Sequence, residues 1–161
     1  MQINNSINKI KSQDPDRKAL NAIYFDGTNQ KVVASDGNVM VVHEPSEPIV
    51  NTMLVSIPKI KGKKLDVNLD KHTVSSGDQI FPISVVDKDY PDWTKVVPTG
   101  SPEYTIGLSV ELLYKLMLDF DLPKNSKGVV KLSFYDKSII KVTNNHNNSV
   151  GYLVRANVEP D

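Results

Sequence analysis

Lysine side chains are the densest group of chemistry-bearing residues in the sequence. Four of them fall within six positions, from Lys59 to Lys64. An ammonium group binds phosphate as a compact point charge, so such a cluster could hold a nucleic-acid backbone with steeply salt-dependent affinity. A charge run is more often a solvated loop, and that interpretation stays open. The candidates for phosphate contact, which include two lysines near the start of the chain, are Lys9, Lys11, Lys59, Lys61, Lys63 and Lys64.

Catalytic chemistry finds little support in the residue types. The chain has no cysteine, which excludes disulfides, thiol catalysis and cysteine-ligated zinc. Its three histidines are scattered without metal-ligand spacing. The sequence also lacks a glycine-rich phosphate loop, a nucleophile elbow and a paired-carboxylate motif. We therefore expect a protein that is not an enzyme and that needs no metal or cofactor.

The composition indicates an ordinary globular protein. With 161 residues, of which 39% are apolar and 24% charged, the chain can bury one good core and is not disordered. Acidic and basic residues balance at 19 each, whereas free nucleic-acid binders usually carry a basic excess. A protein that encircles DNA loosely needs only one positive face. No signal-peptide core and no run of about 20 apolar residues occurs, so we expect a cytoplasmic protein without membrane contact.

Two segments have helical periodicity. Ile3, Ile7 and Ile10 stand at helical spacing, and Asp14-Pro15 would end this first helix. The second helix would begin after Ser109, whose hydroxyl can cap it. Its predicted buried stripe consists of Leu113, Leu116, Met117 and Phe120.

Most of the remaining chain has the pattern of short strands joined by tight turns. Asp26-Gly27 and Asp36-Gly37 each separate two apolar runs, which is a strong hairpin signal. The prolyl turn at Tyr90-Pro91-Asp92-Trp93 predicts a short apolar strand after it. A helix followed by three strands recurs along the chain, and this predicts an α+β fold of repeated β(α)βββ units with antiparallel sheets and two short helices on one face. The proline- and glycine-rich stretch 98–102 suggests a break between residues 1–98 and 99–161.

Three motifs, in order, resemble the bacterial DNA polymerase sliding clamp (beta clamp) family. They are Ala34-Ser35-Asp36-Gly37, Tyr90-Pro91-Asp92-Trp93, and a helix entry at 106–110 followed by Tyr152-Leu153-Val154. On this resemblance, residues 1–98 correspond to the family's middle domain and residues 99–161 to the end of its last domain. The family's first domain has no counterpart. The segment 58–64 also leaves no room for the channel-lining helix that the family places after the strand 53–57.

The resemblance implies a hydrophobic pocket for partner peptides. Asn38 and Met40 would be the pocket positions carried over from the segment after Asp36-Gly37. Arg155 departs from the family, which prefers an apolar residue there. Trp93 could equally pack in the core, and the two roles are compatible. The residues that match pocket positions are Met40, Pro91, Lys95, Val96, Leu112, Leu153 and Arg155.

The function that the resemblance implies is that of a DNA replication processivity factor. Such a protein would tether a polymerase or another partner to double-stranded DNA without catalysis, and several copies would assemble into a ring through edge strands. The shortened form would suit a phage- or mobile-element-encoded protein. The alternative is a clamp mimic or adaptor that binds clamp-partner peptides and does not encircle DNA. The matched segments favour the pocket over the DNA channel.

Overall fold

The computed structural model describes residues 1–102, 105–120, 129–135, 139–144 and 149–156. The chain divides into two compact units, Met1–Pro98 and Thr99–Asp161. Every strand pair within the described residues is antiparallel. Because two helices accompany these sheets, the predicted α+β class is confirmed.

The first unit contains two antiparallel sheets. One has the strand order β4-β3-β2-β5-β9 and the other the order β1-β6-β7-β8. Its elements are β1 (Gln2–Asn4), α1 (Ile7–Ile10), β2 (Ile23–Asp26), β3 (Lys31–Ser35), β4 (Met40–His43), β5 (Met53–Ser56), β6 (Lys64–Asn68), β7 (Thr73–Ser76), β8 (Gln79–Pro82), β9 (Ser84–Val85) and a 3-10 helix (Trp93–Val96).

Both sheets of the first unit contribute to one hydrophobic core. Phe25 and Val55 come from the first sheet, and Leu65 and Val74 come from the second; all four are fully buried. In β6 the buried residues alternate with exposed ones, as expected of a strand with one face in the core. As predicted, no helix lies between β5 and β6.

Two local predictions for the first unit are wrong. Ile3 belongs to a strand rather than to the first helix, because it pairs with Leu65 across β6 and is buried there. The helix that remains is a single turn. The apolar residues after Asp92 form a 3-10 helix instead of a strand, since the Asp92 carboxylate accepts the Thr94 backbone N–H and caps it.

The second unit is a helix packed on a three-stranded sheet. It consists of α2 (Val110–Asp119), β10 (Val130–Phe134), β11 (Ile139–Asn144) and β12 (Val150–Val154), with β11 in the centre. The predicted N-cap is confirmed: Ser109 Oγ accepts the Leu112 backbone N–H at 3.3 Å. The predicted helical stripe faces the sheet and packs against the buried Ile140, Val142 and Leu153.

Candidate functional site

A groove of about 400 Å³ lies between the turn that joins β3 to β4 and the segment 90–96. Its walls are mostly aliphatic and aromatic, with a few polar groups. Such a surface suits an apolar ligand whose orientation is fixed by a small number of hydrogen bonds. The lining residues are Leu20, Ser35, Gly37, Asn38, Val39, Met40, Tyr90, Pro91, Asp92, Trp93 and Val96.

The first wall is a rigid turn. Asp36 Oδ1 accepts the backbone N–H groups of Asn38 at 2.7 Å and Val39 at 2.9 Å. These bonds to the ionised form hold the pKa of the Asp36 carboxyl below its usual value. Gly37 has φ +93°, a left-handed conformation in which a side chain is strained. The turn therefore presents backbone and Met40 to the groove in a fixed geometry.

Arg17 lies at the rim of this wall. Its Nη1 donates to the Asp36 carbonyl oxygen at 3.2 Å, and its Nε pairs with the Asp14 carboxylate at 3.4 Å. A Cβ on Gly37 would stand 2.8 Å from Arg17 Nη1. The left-handed backbone is what favours glycine here, because the Arg17 guanidinium is the end of a flexible side chain that can move away from a Cβ.

The second wall is the 3-10 helix with the residues that precede it. Trp93 Nε1 donates to Asp26 Oδ2 at 2.9 Å, which ties this segment to the end of β2. The Thr94 side chain, followed by the Lys95 ammonium, holds the pKa of the Asp92 carboxyl below its usual value. Asp92 therefore stays ionised and caps the helix at neutral pH.

The Tyr90 ring, just before the second wall, stacks on the ring of Tyr24. Its ring lies parallel to that of Tyr24 on β2, with a centroid distance of 4.7 Å and an interplanar angle of 5°. Burial raises the pKa of the Tyr90 hydroxyl to about 12. The stacked pair holds the residue before Pro91 against β2.

Three of the seven residues matched to pocket positions line this groove, namely Met40, Pro91 and Val96. Lys95 pairs its Nζ with Asp92 Oδ2 at 3.3 Å. The other three belong to the second unit: Leu153 is buried in its core, while Leu112 and Arg155 are exposed. The sequence did not identify Leu20 as a groove residue or Arg17 as a residue of its rim. Both come from the loop between α1 and β2, whose local pattern contains no signal of a binding site.

The lysine-rich segment 58–64 is hydrogen-bonded to Asn5, which stands two residues before the start of α1. Asn5 Nδ2 donates to the carbonyl oxygens of Ile60 at 2.7 Å and Gly62 at 2.9 Å, and the Asn5 backbone N–H donates to the Lys63 carbonyl at 2.9 Å. These hydrogen bonds bring Lys9 and Lys59, which are distant in sequence, to one region. A cleft of about 500 Å³ there is lined by Asn5, Asn8, Lys9, Gln13, Lys59 and Ile60.

The six candidate lysines differ in their surroundings. Lys11 Nζ donates to the Ile57 carbonyl oxygen at 3.0 Å, and burial together with the nearby Lys59 lowers the pKa of its ammonium. Lys64 Nζ donates to Gln2 Oε1 at 2.8 Å. None of the six forms an ion pair with a carboxylate in the part of the chain that the structure describes. The exposed Lys9, Lys59, Lys61 and Lys63 are therefore the ones whose positive charge is most available to an anionic ligand.

Within the described ranges, neither a metal-binding cluster nor a membrane-spanning helix occurs. These residues contain no group of three or more histidine, cysteine, aspartate or glutamate side chains that could hold a metal ion. Within the same ranges, no helix is both long enough and apolar enough to cross a membrane.

A solved structure of DNA polymerase III subunit beta from Borrelia burgdorferi, in complex with a natural product, is similar to this chain with a TM-score of 0.63. The similarity covers 98% of this chain and 49% of that chain, at 16% sequence identity. The chain has a clamp-like fold. It spans about half the length of that protein. No protein-family model and no curated protein matches the sequence.

Proposed function

We propose that this protein is a sliding-clamp-like component of DNA replication, which holds a polymerase or another partner at double-stranded DNA and catalyses no reaction. The proposal depends above all on one observation, an apolar groove built by Met40, Pro91 and Val96 on a clamp-like fold. Fold likeness alone would not assign a function. The groove adds a surface whose chemistry fits a short peptide.

The groove favours a peptide with adjacent apolar side chains. Met40 and Val96 offer aliphatic surface, and Trp93 offers an aromatic ring whose N–H is already bonded to Asp26. Burying apolar side chains of a partner against these residues supplies the affinity. The rigid turn and the capped 3-10 helix limit the ordering cost, because both walls are held by internal hydrogen bonds before binding.

A lysine surface, formed by Lys9, Lys59, Lys61 and Lys63, supports the DNA part of the proposal. Lys9 and Lys59 line one cleft with the amides of Asn8 and Gln13, and Lys61 and Lys63 are exposed on the loop beside it. Ammonium and amide groups are hydrogen-bond donors suited to phosphate oxygens. A ring would require several copies, and in the part of the chain that the structure describes, the two sheets of the first unit end in edge strands through which copies could pair. Assembly into a homo-oligomeric ring is part of this proposal.

The alternative function is that of an adaptor, which binds partner peptides in the groove and does not bind DNA. The balanced charge of the whole chain is the observation that favours it, since no basic excess draws the protein to nucleic acid. Both functions use the groove, and only the first uses the lysine surface.

The groove is tested by fluorescence anisotropy with a labelled hexapeptide that carries a Leu-Phe pair. We expect Met40→Ala and Val96→Ala each to weaken binding about tenfold, since each substitution removes about 1–2 kcal/mol of apolar contact. Ile80→Ala is the matched control, because Ile80 is 71% exposed on β8 and does not line the groove. Equal binding by all three variants, or no binding by the unmodified protein, would refute the groove assignment.

A further inference from the structure

The sheet of the second unit has an outer face, which we define by Lys131, Tyr135, Ile139, Lys141, Tyr152 and Val154. Alternate residues of these strands, such as Ile140, Val142 and Leu153, pack against α2 on the opposite side. Because successive side chains of a strand point to opposite faces, the outer-face residues turn away from the helix. Tyr152 is 65% exposed and Tyr135 is 53% exposed.

The strand register arranges the outer face around one lysine. Lys141, on the central strand, lies directly opposite Tyr152 on β12. Ile139 lies opposite Val154, and the Tyr135 backbone N–H donates to the Ile139 carbonyl oxygen at 3.3 Å. Tyr152 therefore stands on β12 and Tyr135 directly after the end of β10, on either side of the strand that carries Lys141. Strand spacing puts them roughly 12 Å apart, so each has room to stack a separate planar group.

Within the described residues, no carboxylate offsets the positive charge of the outer face. None of its described residues is acidic, and neither Lys131 nor Lys141 forms an ion pair with a described carboxylate. An apolar protein partner would bury the Lys141 ammonium at a desolvation cost. A second copy, paired about a two-fold axis, would place like charges close together. A polyanion with exposed aromatic rings meets both requirements of this surface.

We propose that the outer face binds single-stranded nucleic acid, with bases stacked on Tyr152 and Tyr135 and a phosphate on Lys141. Stacking platforms interleaved with cationic side chains bind single strands with little sequence preference. A duplex hides the faces of its bases, so it offers this surface only its backbone. The outer face shares no residue with the groove or with the lysine surface, and this proposal does not depend on the proposed function.

The test measures binding of a labelled dT12 oligonucleotide by fluorescence anisotropy at low and at raised salt. We expect Tyr152→Ala to weaken binding about tenfold, the size of effect that loss of one stacked base produces. Tyr152→Phe should keep the affinity, because it keeps an aromatic ring. Lys141→Glu should weaken binding and reduce the salt dependence. The matched control is Tyr114→Ala, since Tyr114 on α2 is 62% exposed and lies outside the outer face.

Three results would overturn the proposal. The first is absence of oligonucleotide binding by the unmodified protein, and the second is equal affinity for Tyr152→Ala and Tyr114→Ala. The third is a dimer in light scattering that Tyr152→Ala dissociates, which would assign the face to a second copy. Duplex binding that depends on Lys59 but not on Tyr152 bears on the proposed function alone, so failures of the two proposals are distinguishable.

Discussion

At the scale of single residues, Asp26 connects the fold to the groove. Its carboxylate is 3% exposed and accepts the backbone N–H groups of Thr28 and Asn29, the Asn29 side-chain amide and Trp93 Nε1. Burial by itself would raise the pKa of this carboxyl. The hydrogen bonds from Asn29, Trp93 and Thr28 outweigh burial, and the net pKa of Asp26 is lowered. The ionised form is therefore the form that holds the groove wall.

The Asp26→Asn variant tests this role. The amide group that replaces one carboxylate oxygen cannot accept from Trp93, so we expect a loss of about 1–3 kcal/mol in the free energy of unfolding at pH 7. Because folding lowers the pKa of Asp26, its stabilisation is present above about pH 4 and is lost as the pH falls through the folded-state value. The difference between the two proteins should therefore shrink in acid.

Urea unfolding followed by circular dichroism at neutral and acidic pH measures that difference. Asp78→Asn serves as the control, because Asp78 is exposed in the turn between β7 and β8 and lies outside the groove. If Asp26→Asn changed the free energy of unfolding by the same amount at both pH values, the charge of the carboxylate would have no part in holding Trp93.

At the scale of elements, the contact between α2 and β12 depends on a glycine. A Cβ placed on Gly151 would lie 2.2 Å from Leu116 Cδ1, 2.7 Å from Cδ2 and 2.8 Å from Cγ. Since Cγ is also too close, rotation of the terminal methyl groups alone cannot relieve the overlap. The helix approaches the sheet closely here because the strand has no side chain at this position.

We expect Gly151→Ala to lower the free energy of unfolding by about 1–3 kcal/mol, as overpacking of a core does. In a Leu116→Ala background the same change should cost little, because the overlapping isobutyl group is gone. A double-mutant cycle from urea unfolding gives this coupling directly. Additive effects of the two substitutions would mean that the helix does not rest on Gly151.

Much of the element pattern could be predicted from the sequence, because it follows from local signals. Strand alternation, the turn after Ser35 and the Ser109 cap are examples. Ile3 could not be placed, since isoleucines at helical spacing also fit a strand followed by a turn, and only pairing with β6 decides between them. Leu20 reaches the groove, and Arg17 reaches the turn that forms its first wall, through the tertiary fold. That Met40, Pro91 and Val96 bind a peptide stays a prediction.

At the scale of the whole molecule, the similarity to a known structure concerns the fold. The chain spans about half of the similar DNA polymerase III subunit beta, and its likeness to that protein at 16% identity shows the fold. Assembly of several copies into a ring and a phage or mobile-element origin both stay predictions. The proposed tethering function requires only that one assembly binds duplex DNA and a partner peptide at the same time.

The most direct test of this simultaneous binding is retention of the labelled Leu-Phe hexapeptide on immobilised duplex DNA. We predict that the peptide stays on the DNA only when the protein is present. The triple variant Lys59→Glu, Lys61→Glu and Lys63→Glu should lose retention while it still binds the peptide in solution, and Lys71→Glu, an exposed lysine elsewhere on the first unit, should retain it. A protein that binds the peptide but never carries it to the duplex would contradict the tether and favour the adaptor.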